Sequence, residues 1–236
     1  MGQHTDRSTG EERVLYSAKA AADGENPSAG LVGIQGVLYG TTEYGGAPGN
    51  DGTVFEVDSV GTEKVLYSFH GYSDGDDGAN PVAGLVSING TLYGSTENGG
   101  EKCRSANGSG TVFSVSASGT EKVLHSFCVT GIYPYDGENP LAGLTSFNRR
   151  LWGATEFGGQ LPYQNDPGDA GMVFSLSTTG AENILYLFDV FSQTGCYPEA
   201  RLTVSKARCM VLPRAAVCTT GELSWTFTIH ERPRLG

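Results

Sequence analysis

Three glutamates occupy the same place in three similar stretches of the chain. A single residue separates each of Glu43, Glu97 and Glu156 from a Gly-Gly pair. If the stretches fold alike, symmetry places the three carboxylates in a ring, where they could hold a cation or a polar ligand. Strand ends are also commonly charged because water solvates them, so a purely structural position is the commoner explanation of such a pattern.

Aromatic residues recur in the same stretches, four residues before each glutamate. Tyr39, Tyr93 and Trp152 could form a platform on which sugar rings stack. They could also pack ring on ring between neighbouring sheets, which is the commoner use of such residues. Together with the three glutamates, they are the candidate ligand-binding residues of the chain.

One segment matches a catalytic motif. Gly71, Ser73 and Gly75 fit Gly-x-Ser-x-Gly, which in hydrolases places a nucleophilic serine on a sharp turn between a strand and a helix. No helical pattern follows, the matching loops at 18–22 and 129–135 lack such a serine, and no His and Asp pair is evident to complete a triad. The sequence therefore predicts no catalytic residues.

Two acidic segments imitate calcium sites. Asp74, Asp76 and Asp77 with Gly78 alternate like part of a calcium loop, and residues 45–52 imitate a calcium-binding nonapeptide. Calcium takes about six to eight oxygen ligands, which neither segment supplies. The five cysteines form no Cys-x-x-Cys and sit near no pair of histidines, so zinc spacing is absent as well. The sequence predicts no metal site and no cofactor.

A repeated phrase positions all of these residues. It consists of VLYSF, a loop, DGxNPxAGLVxINGxLYGTTExGG, a second loop and GTVFxVxxxGTEK. The VLYSF strand begins at Val14, Val65, Val123 and Ile184, in steps of 51, 58 and 61 residues. Steps of this size suit propeller blades of about 40 to 50 residues that carry loop insertions.

Each unit contains four short strands, as the second unit illustrates. Both faces of these strands are apolar, which stacked sheets require because only neighbouring sheets can cover them. In this unit we expect strands at Val65 to Phe69, Leu85 to Ile88, Thr91 to Thr96 and Thr111 to Val115.

Short turns join the strands. Asn89 and Gly90, between the second and third strands, are a favoured pair for a type I′ hairpin, which makes the strands antiparallel. The third unit has Asn148 and Arg149 there, and without glycine this hairpin is expected to be strained or lengthened. An Asp-Gly-x-Asn-Pro segment also recurs, in which we expect the Asp to cap its own turn and the Pro to hold the Asn extended.

The sequence thus predicts an all-β, propeller-like domain of about four blades with four antiparallel strands each, the last blade being divergent or incomplete. The tight hairpin argues against a β-helix of stacked parallel coils. The spacing leaves open which strand begins a blade and whether the propeller closes. The expected boundaries are a disordered N-terminus at 1–12, repeats at 13–64, 65–122 and 123–183, and a partial, divergent repeat at 184–236.

The composition changes after residue 200. Only two of the 35 glycines lie there. Residues 201–236 carry six Lys or Arg against two Glu, a net charge of +4. Since the whole chain has a net charge of −11, residues 1–200 carry −15. One interpretation is a divergent closing blade with strands at 202–205, 209–212 and 224–229. The other is a shifted reading frame, which leaves a truncated propeller whose exposed edge would favour self-association.

Charge and hydropathy exclude some classes of partner for the chain. The acidic body repels phosphate backbones, which argues against nucleic acid as a partner. No stretch approaches the ~20 apolar residues that a membrane span needs. Residues 1–12 lack the apolar centre of a secretory signal, so the sequence offers no export signal.

The phrases LYGTTExGG and GTVFxV, with the junction GTEKVLYSF, resemble the GloVer tandem repeat of bacterial surface or secreted proteins, over about residues 13–198. More distantly, the period and the Gly-Gly pair are similar to kelch propellers. The resemblance implies a location at a cell surface or outside the cell. By analogy of fold, we expect a noncatalytic module for binding or display, with a protein or glycan partner. The alternatives are a glycan-binding or glycan-cleaving enzyme that uses the ring carboxylates, and a truncated, nonfunctional fragment.

Overall fold

The structure is a computed structural model and is built from β-strands and turns. Its described residues contain no helix, so the all-β prediction is confirmed. The structure describes residues 4–5, 12–18, 22–71, 77–101, 107–127, 136–159, 170–188, 197–199, 201–205, 208–211 and 225–228.

Nineteen strands lie within the described residues. They are β1 (His4–Thr5), β2 (Glu12–Arg13), β3 (Val32–Ile34), β4 (Val37–Thr42), β5 (Thr53–Val57), β6 (Glu63–Ser68), β7 (Gly78–Ala79), β8 (Val86–Ile88), β9 (Thr91–Thr96), β10 (Asn98–Gly99), β11 (Thr111–Val115), β12 (Glu121–Ser126), β13 (Thr145–Phe147), β14 (Arg150–Thr155), β15 (Met172–Ser177), β16 (Glu182–Leu187), β17 (Thr203–Ser205), β18 (Arg208–Val211) and β19 (Trp225–Thr228).

Three sheets have four antiparallel strands each, and a fourth has three within the described residues. The first sheet has the order β3-β4-β5-β6, the second β8-β9-β11-β12, the third β13-β14-β15-β16 and the fourth β17-β18-β19. From the second sheet to the fourth, the first strands are neighbours, since β13 contacts both β8 and β17. This arrangement confirms a propeller-like fold of about four blades, in which each sheet is open and the last is divergent.

The hydrogen bonds settle which strand begins a sheet. Three of the four predicted VLYSF-type strands are the fourth strand of a sheet, because β6 pairs with β5, β12 with β11 and β16 with β15. The strand predicted to begin at Val14 is not formed, since residues 14–18 pair with no strand. The GTEK phrase that precedes it is the end of a tight hairpin. In the first sheet, Gly61 N donates to Asp58 O at 3.1 Å and Asp58 N donates to Thr62 O at 3.0 Å. The repeat boundaries that we drew from the sequence therefore fall inside β6, β12 and β16, and each sheet takes its fourth strand from across such a boundary.

The hairpins between the first and second strands have the predicted two residues. Asn89 and Gly90 have φ values of 53° and 81°, as a type I′ turn requires. Asn148 and Arg149 take the same conformation, with φ values of 49° and 57°. The third hairpin is therefore not lengthened, and Arg149 adopts a left-handed backbone that side chains with a Cβ disfavour.

The core lies between consecutive sheets. Phe113 of the second sheet packs against Phe69, which directly follows the first, with ring centroids 5.0 Å apart. Phe127 and Phe174 repeat this contact between the second and third sheets at 5.2 Å. All four rings are fully buried. Each sheet thus covers its apolar faces with its neighbours, which is why a single repeat could not be stable alone.

Glycine is required where one sheet touches the next. The hairpin before β12 packs on β6, and a Cβ at Gly119 would lie 2.5 Å from the carbonyl oxygen of Leu66. Gly119 also has a φ of 84°. Gly61 and Gly180 make the same approach to the preceding units. No other residue satisfies both the close contact and the positive φ.

The expectation that Pro holds the preceding Asn extended is wrong. Asn26, Asn80 and Asn139 have φ values of 59°, 57° and 53°, in the left-handed region. Asn tolerates this conformation better than other non-glycine residues because its short polar side chain makes local hydrogen bonds. Hydrogen bonds to the neighbouring sheets, described below, stabilise it here.

The fourth unit follows the repeat further than its sequence suggests. Tyr197 and Pro198 replace the Asn-Pro pair, and Tyr197 keeps the positive φ, at 54°. Its backbone N donates to Ala170 O at 2.9 Å, as Asn139 N does to Ser109 O in the third unit. Leu202 is buried, and β17 follows at once. The predicted strands at 202–205, 209–212 and 224–229 coincide with β17, β18 and β19 to within a residue at each end.

Candidate functional site

The three predicted glutamates lie in succession along neighbouring sheets. Asn80 connects the first two, because its side-chain Nδ2 donates to Glu43 O at 3.2 Å while its carbonyl accepts from Glu97 N at 3.0 Å. Asn139 repeats both bonds, to Glu97 O at 3.0 Å and from Glu156 N at 3.0 Å. The recurring asparagines thus fix the backbone of each glutamate relative to the next. We call Glu43, Glu97 and Glu156 the glutamate arc.

The carboxyls of the arc are half-buried and influence one another. Burial raises the pKa of Glu97, and the charge of Glu43 raises it further. Burial also raises the pKa of Glu156, with added contributions from Glu199 and Glu97. The arc therefore concentrates negative charge at one end of the sheets, where a group that donates hydrogen bonds or carries positive charge would be stabilised.

An aromatic residue that the sequence analysis did not single out stands beside the arc. Tyr44 is 38% exposed. A hydrogen bond to Glu43 is the main cause that raises the pKa of its phenol. In the other units the corresponding positions hold Asn98 and Phe157. Tyr44 gives the arc an apolar ring with a polar edge that reaches solvent.

The three predicted aromatic residues lie inside the molecule. Tyr39, Tyr93 and Trp152 are 9%, 6% and 6% exposed and belong to the cores between sheets. Trp152 Nε1 donates to Phe147 O at 3.2 Å. This burial favours packing between sheets over a platform for sugars. A ligand-binding role for the three rings stays a prediction.

The motifs that the sequence analysis set aside are only partly described. Residues 72–76, with the serine of the Gly-x-Ser-x-Gly motif and two of the aspartates, lie outside the described residues. In the other calcium-like segment, Asn50 Oδ1 accepts a hydrogen bond from Gly45 N at 2.9 Å. Gly52 N donates to Gly45 O at 2.9 Å. These bonds form a compact turn between β4 and β5.

A cleft of about 910 Å³ lies against the first sheet. Segments 15–18 and 23–31 form one wall, and Leu38, Phe55 and Val57 of the first sheet contribute to the other. None of the arc glutamates lines it. The cleft nevertheless adjoins the arc, because Asn26, which lines it, donates a hydrogen bond from Nδ2 to Glu43 Oε2 at 3.3 Å.

A second set of polar residues recurs between sheets. In each copy, the third residue of one VLYSF-type segment contacts the Asp of the next Asp-Gly pair, and the Glu that begins the next fourth strand lies beside that Asp. We call these sets the interface clusters. The first is Tyr16, Asp23 and Glu63, the second is Tyr67, Asp77 and Glu121, and the third is His125, Asp136 and Glu182.

Tyrosine hydroxyls occupy the first two interface clusters. Tyr16 Oη donates to Asp23 Oδ2 at 2.6 Å and also hydrogen-bonds with Glu63. Tyr67 Oη donates to Asp77 Oδ2 at 2.8 Å. Asp77 accepts two further bonds, from the backbone N of His70 at 2.9 Å and of Gly78 at 2.7 Å. Asp77 caps its turn as the sequence predicted, and it also joins two sheets.

Histidine replaces tyrosine in the third interface cluster. His125 Nε2 lies 3.1 Å from both carboxylate oxygens of Asp136 and 3.9 Å from Glu182 Oε1. The ligand atoms of the three side chains lie within 4.8 Å of one another. The His125 ring packs edge-on against Phe127, with centroids 4.8 Å apart. This is a mixed imidazole and carboxylate site built from the second and third sheets and the segment between them.

The glutamates of the interface clusters are buried among acidic groups. Glu63, Glu121 and Glu182 each have one carboxylate oxygen that is buried without a hydrogen-bond partner. Burial, followed by the charge of Asp77, raises the pKa of Glu121 to about 8. Burial, together with a hydrogen bond to Asp136 and its charge, raises the pKa of Glu182 to about 9. Burial and the charge of Asp23 raise the pKa of Glu63.

The sequence analysis missed these clusters, although a signal was present. Alignment of the units within the chain shows VLHSF where two other units have VLYS, so His125 replaces a tyrosine at a position that is otherwise regular. The Glu that begins each fourth strand is constant, in GTEK twice and in GAEN. A histidine that replaces tyrosine beside a constant acid is the observation that points to the cluster.

Comparison with known proteins identifies the repeat. A family model described as a Gloeobacter/Verrucomicrobia repeat matches residues 4–213. The match spans the three four-stranded sheets and reaches β18. The predicted resemblance to the GloVer family is thereby confirmed. No curated protein matches the chain. No helix among the described residues has the length and apolar character needed to cross a membrane.

Proposed function

We propose that this chain, which belongs to the Gloeobacter/Verrucomicrobia repeat family, is a noncatalytic repeat module that binds a partner at the glutamate arc. The observation that carries the proposal is the repeated pair of hydrogen bonds from Asn80 and Asn139, which aligns Glu43, Glu97 and Glu156 in succession. Rigid positioning of polar groups favours binding because little ordering entropy is lost when the ligand arrives.

The chemistry of the arc indicates the partner's chemistry. Carboxylates accept hydrogen bonds and attract positive charge, so the partner presents hydroxyl, amine or guanidinium groups. Two classes of partner offer these groups, a protein segment with Lys or Arg and a glycan. Tyr44 at 38% exposure supplies the ring surface that either class would use. Burial of Tyr39, Tyr93 and Trp152 favours the protein segment, because it leaves fewer ring faces for stacking sugars.

An array experiment tests the proposal. The purified chain is applied to a glycan array and to a peptide array graded in Lys and Arg content, beside the variants Glu97→Gln and Glu101→Gln. Glu97 belongs to the arc, whereas Glu101 is an exposed glutamate four residues further along the chain. We expect Glu97→Gln to weaken binding about tenfold, as loss of a charge-assisted contact does. Equal binding by the two variants would remove the arc from the proposal.

The raised pKa values of Glu97 and Glu156 favour a second candidate, a glycan-cleaving enzyme. Glycoside hydrolases use one carboxyl that stays protonated beside one that is ionised. Glycans that bind on the array are therefore incubated with the chain and checked for new reducing ends. Cleavage that Glu97→Gln abolishes would replace the noncatalytic proposal, and binding without cleavage would support it.

A third alternative, a nonfunctional fragment with an exposed edge, makes different predictions. Within the described residues, the fourth sheet has three strands, whereas the first, second and third sheets have four each. A fragment that self-associates at this edge would be aggregated on size exclusion and would unfold without cooperativity. A monodisperse chain with one sharp unfolding transition would support the module.

A further inference from the structure

The third interface cluster contains metal ligands that its two counterparts lack. His125 comes from β12 of the second sheet, Glu182 from β16 of the third, and Asp136 from the segment between them. The side chains of His125, Asp136 and Glu182 are 15%, 20% and 16% exposed, so the site is sheltered yet open to an ion from solvent. The sequence predicted no metal site because these residues are distant in sequence and match no metal-binding spacing.

The other two interface clusters serve as an internal comparison. Tyr16 and Tyr67 donate hydroxyl protons to Asp23 and Asp77 at 2.6 and 2.8 Å. A neutral phenol at pH 7 is a poor metal ligand, whereas neutral imidazole is among the commonest. The chain thus places a nitrogen ligand in one of three otherwise similar sites.

A second observation concerns the carboxylate that faces His125. Glu182 Oε1 is buried and has no hydrogen-bond partner, and the nearest cationic or imidazole nitrogen, His125 Nε2, lies 3.9 Å away. A buried carboxylate oxygen without a partner is costly in a folded protein. A cation among the three side chains would satisfy it.

We propose that His125, Asp136 and Glu182 bind a divalent transition-metal ion, with Zn²⁺ as the best match to their donor atoms. Zinc binds imidazole nitrogen and carboxylate oxygen at about 2.0 to 2.2 Å, and three protein ligands leave a fourth position for water. Calcium fits poorly, because it takes six or more oxygen ligands and here one donor is nitrogen. The ion would link the second sheet to the third.

The distances suit such an ion after a small adjustment. Donor atoms around a tetrahedral zinc lie about 3.3 Å apart. His125 Nε2 and the Asp136 oxygens already have a separation of 3.1 Å. Glu182 Oε1 lies 3.9 Å from Nε2, and the ligand atoms of all three side chains lie within 4.8 Å of one another, so Glu182 must move by between about 0.5 and about 1.5 Å, within the reach of a rotatable glutamate side chain. The site needs no movement of the strands.

Zinc titration with two variants tests the proposal. His125→Tyr recreates the tyrosine of the first and second interface clusters and so should keep the fold. Glu182→Gln keeps the shape of the side chain and replaces the carboxylate ligand by an amide, which is not among the usual zinc ligands. His70→Gln is the matched control, since it removes a histidine beside the second cluster and leaves the third intact. All proteins are studied with their cysteines reduced.

Zinc binding is measured by competition with a chromogenic chelator, and the unfolding midpoint is measured with and without zinc. We expect the wild type and His70→Gln to bind one equivalent of zinc more than either test variant, His125→Tyr or Glu182→Gln. We also expect zinc to raise the midpoint of the first two proteins and not that of the test variants, because only the folded site binds the ion.

Two results would overturn the proposal. One is an equal stoichiometry and affinity in the wild type and the test variants, and the other is a wild-type midpoint that zinc leaves unchanged. If His125→Tyr does not fold, Glu182→Gln decides the question by the same two measurements. The experiment does not involve the glutamate arc, so its outcome is independent of the proposed partner binding.

Discussion

Replacement of Glu121 by Gln should make the protein more stable at neutral pH and leave its stability at acidic pH nearly unchanged. Glu121 begins β12, and its Oε1 is buried without a hydrogen-bond partner. Burial and the nearby charge of Asp77 raise its pKa from 4.5 to about 8. The folded protein therefore holds a proton on this carboxyl over a pH range in which the unfolded chain has released it.

The sign and size of the effect follow from linkage. A group whose pKa is raised on folding contributes stability that is fully present below its unfolded pKa, here 4.5, and is lost as the pH rises through its folded pKa of about 8. The loss is at most about 1.4 kcal/mol for each pH unit, or about 3 kcal/mol between pH 4.5 and 7. Residual contact with water lowers this figure, and we expect about 2 kcal/mol. Gln does not titrate, so the variant escapes the loss.

Urea unfolding at about pH 5 and about pH 7.5 measures the effect. Glu63 and Glu182 titrate in the same direction in both proteins, so the difference between wild type and variant isolates Glu121. Glu101→Gln serves as the exposed control and should change stability little at either pH. A difference between wild type and Glu121→Gln that is the same at both pH values would refute the argument, as would a variant that is less stable at pH 7.5.

Three further substitutions test the packing between sheets by urea unfolding. Gly119→Ala should lower the free energy of unfolding by about 3 kcal/mol, because it combines a positive φ with a clash against the carbonyl oxygen of Leu66. Gly90→Ala, with a similar φ and open space around it, is the control and should lower it by about 1 kcal/mol. Equal losses would show that the contact between Gly119 and Leu66 is unimportant. Phe113→Ala, at a fully buried ring, should cost about 3 to 5 kcal/mol, and a cost under about 1 kcal/mol would contradict the inter-sheet core. Asn139→Gly keeps the left-handed backbone and removes the side-chain bond to Glu97 O, so it should cost about 1 to 2 kcal/mol, and an unchanged stability would mean that this bond does not align the arc.

The strands could be predicted because their signals are local. Short apolar runs and the turn at Asn89 and Gly90 predicted the second unit's strands at 91–96 and 111–115 with the observed ends. The sheet to which each VLYSF-type strand belongs could not be predicted in the same way, because both faces of every strand are apolar. Hydrogen bonds between β5 and β6 decide it. Gly61, at a φ of 91°, marks the hairpin that joins them.

The conformation of the Asn-Pro segment shows where a local rule fails. The steric effect of Pro disfavours helical backbone for the preceding residue, and extended backbone is the usual outcome. Asn80 instead takes a left-handed backbone, because it then bonds to Glu43 of one sheet and Glu97 of the next. These partners lie 37 and 17 residues away in sequence, so the competing energy is invisible in the local sequence. The same bonds position the three residues of the glutamate arc. The repeat alone predicted that these residues are equivalent by symmetry and lie in a ring.

The interface clusters were missed because their members come from different units. His125 and Glu182 are 57 residues apart and belong to consecutive VLYSF-type strands. Spacing rules for metal or catalytic motifs assume one short segment or one helix face, and neither applies to strands of separate sheets. Comparison of the units within the chain was the available route, since it isolates His125 at a position that holds tyrosine in Tyr16 and Tyr67.

Each of the three interface clusters contains an Asp and a Glu whose burial costs stability, and the recurrence of this pair indicates a role in positioning neighbouring units. A buried Asp and Glu destabilise a domain relative to apolar residues of similar size, so their contribution to stability is not the reason for their recurrence. The partner that stabilises each pair comes from the preceding unit: Tyr16 and Tyr67 donate protons to it, and in our proposal His125 shares a metal ion with it. Apolar faces alone would allow neighbouring sheets to slide, because burial of apolar area is not directional. A hydrogen bond or a metal bond at one point between each pair of units fixes their relative position, and that position keeps the glutamate arc in line.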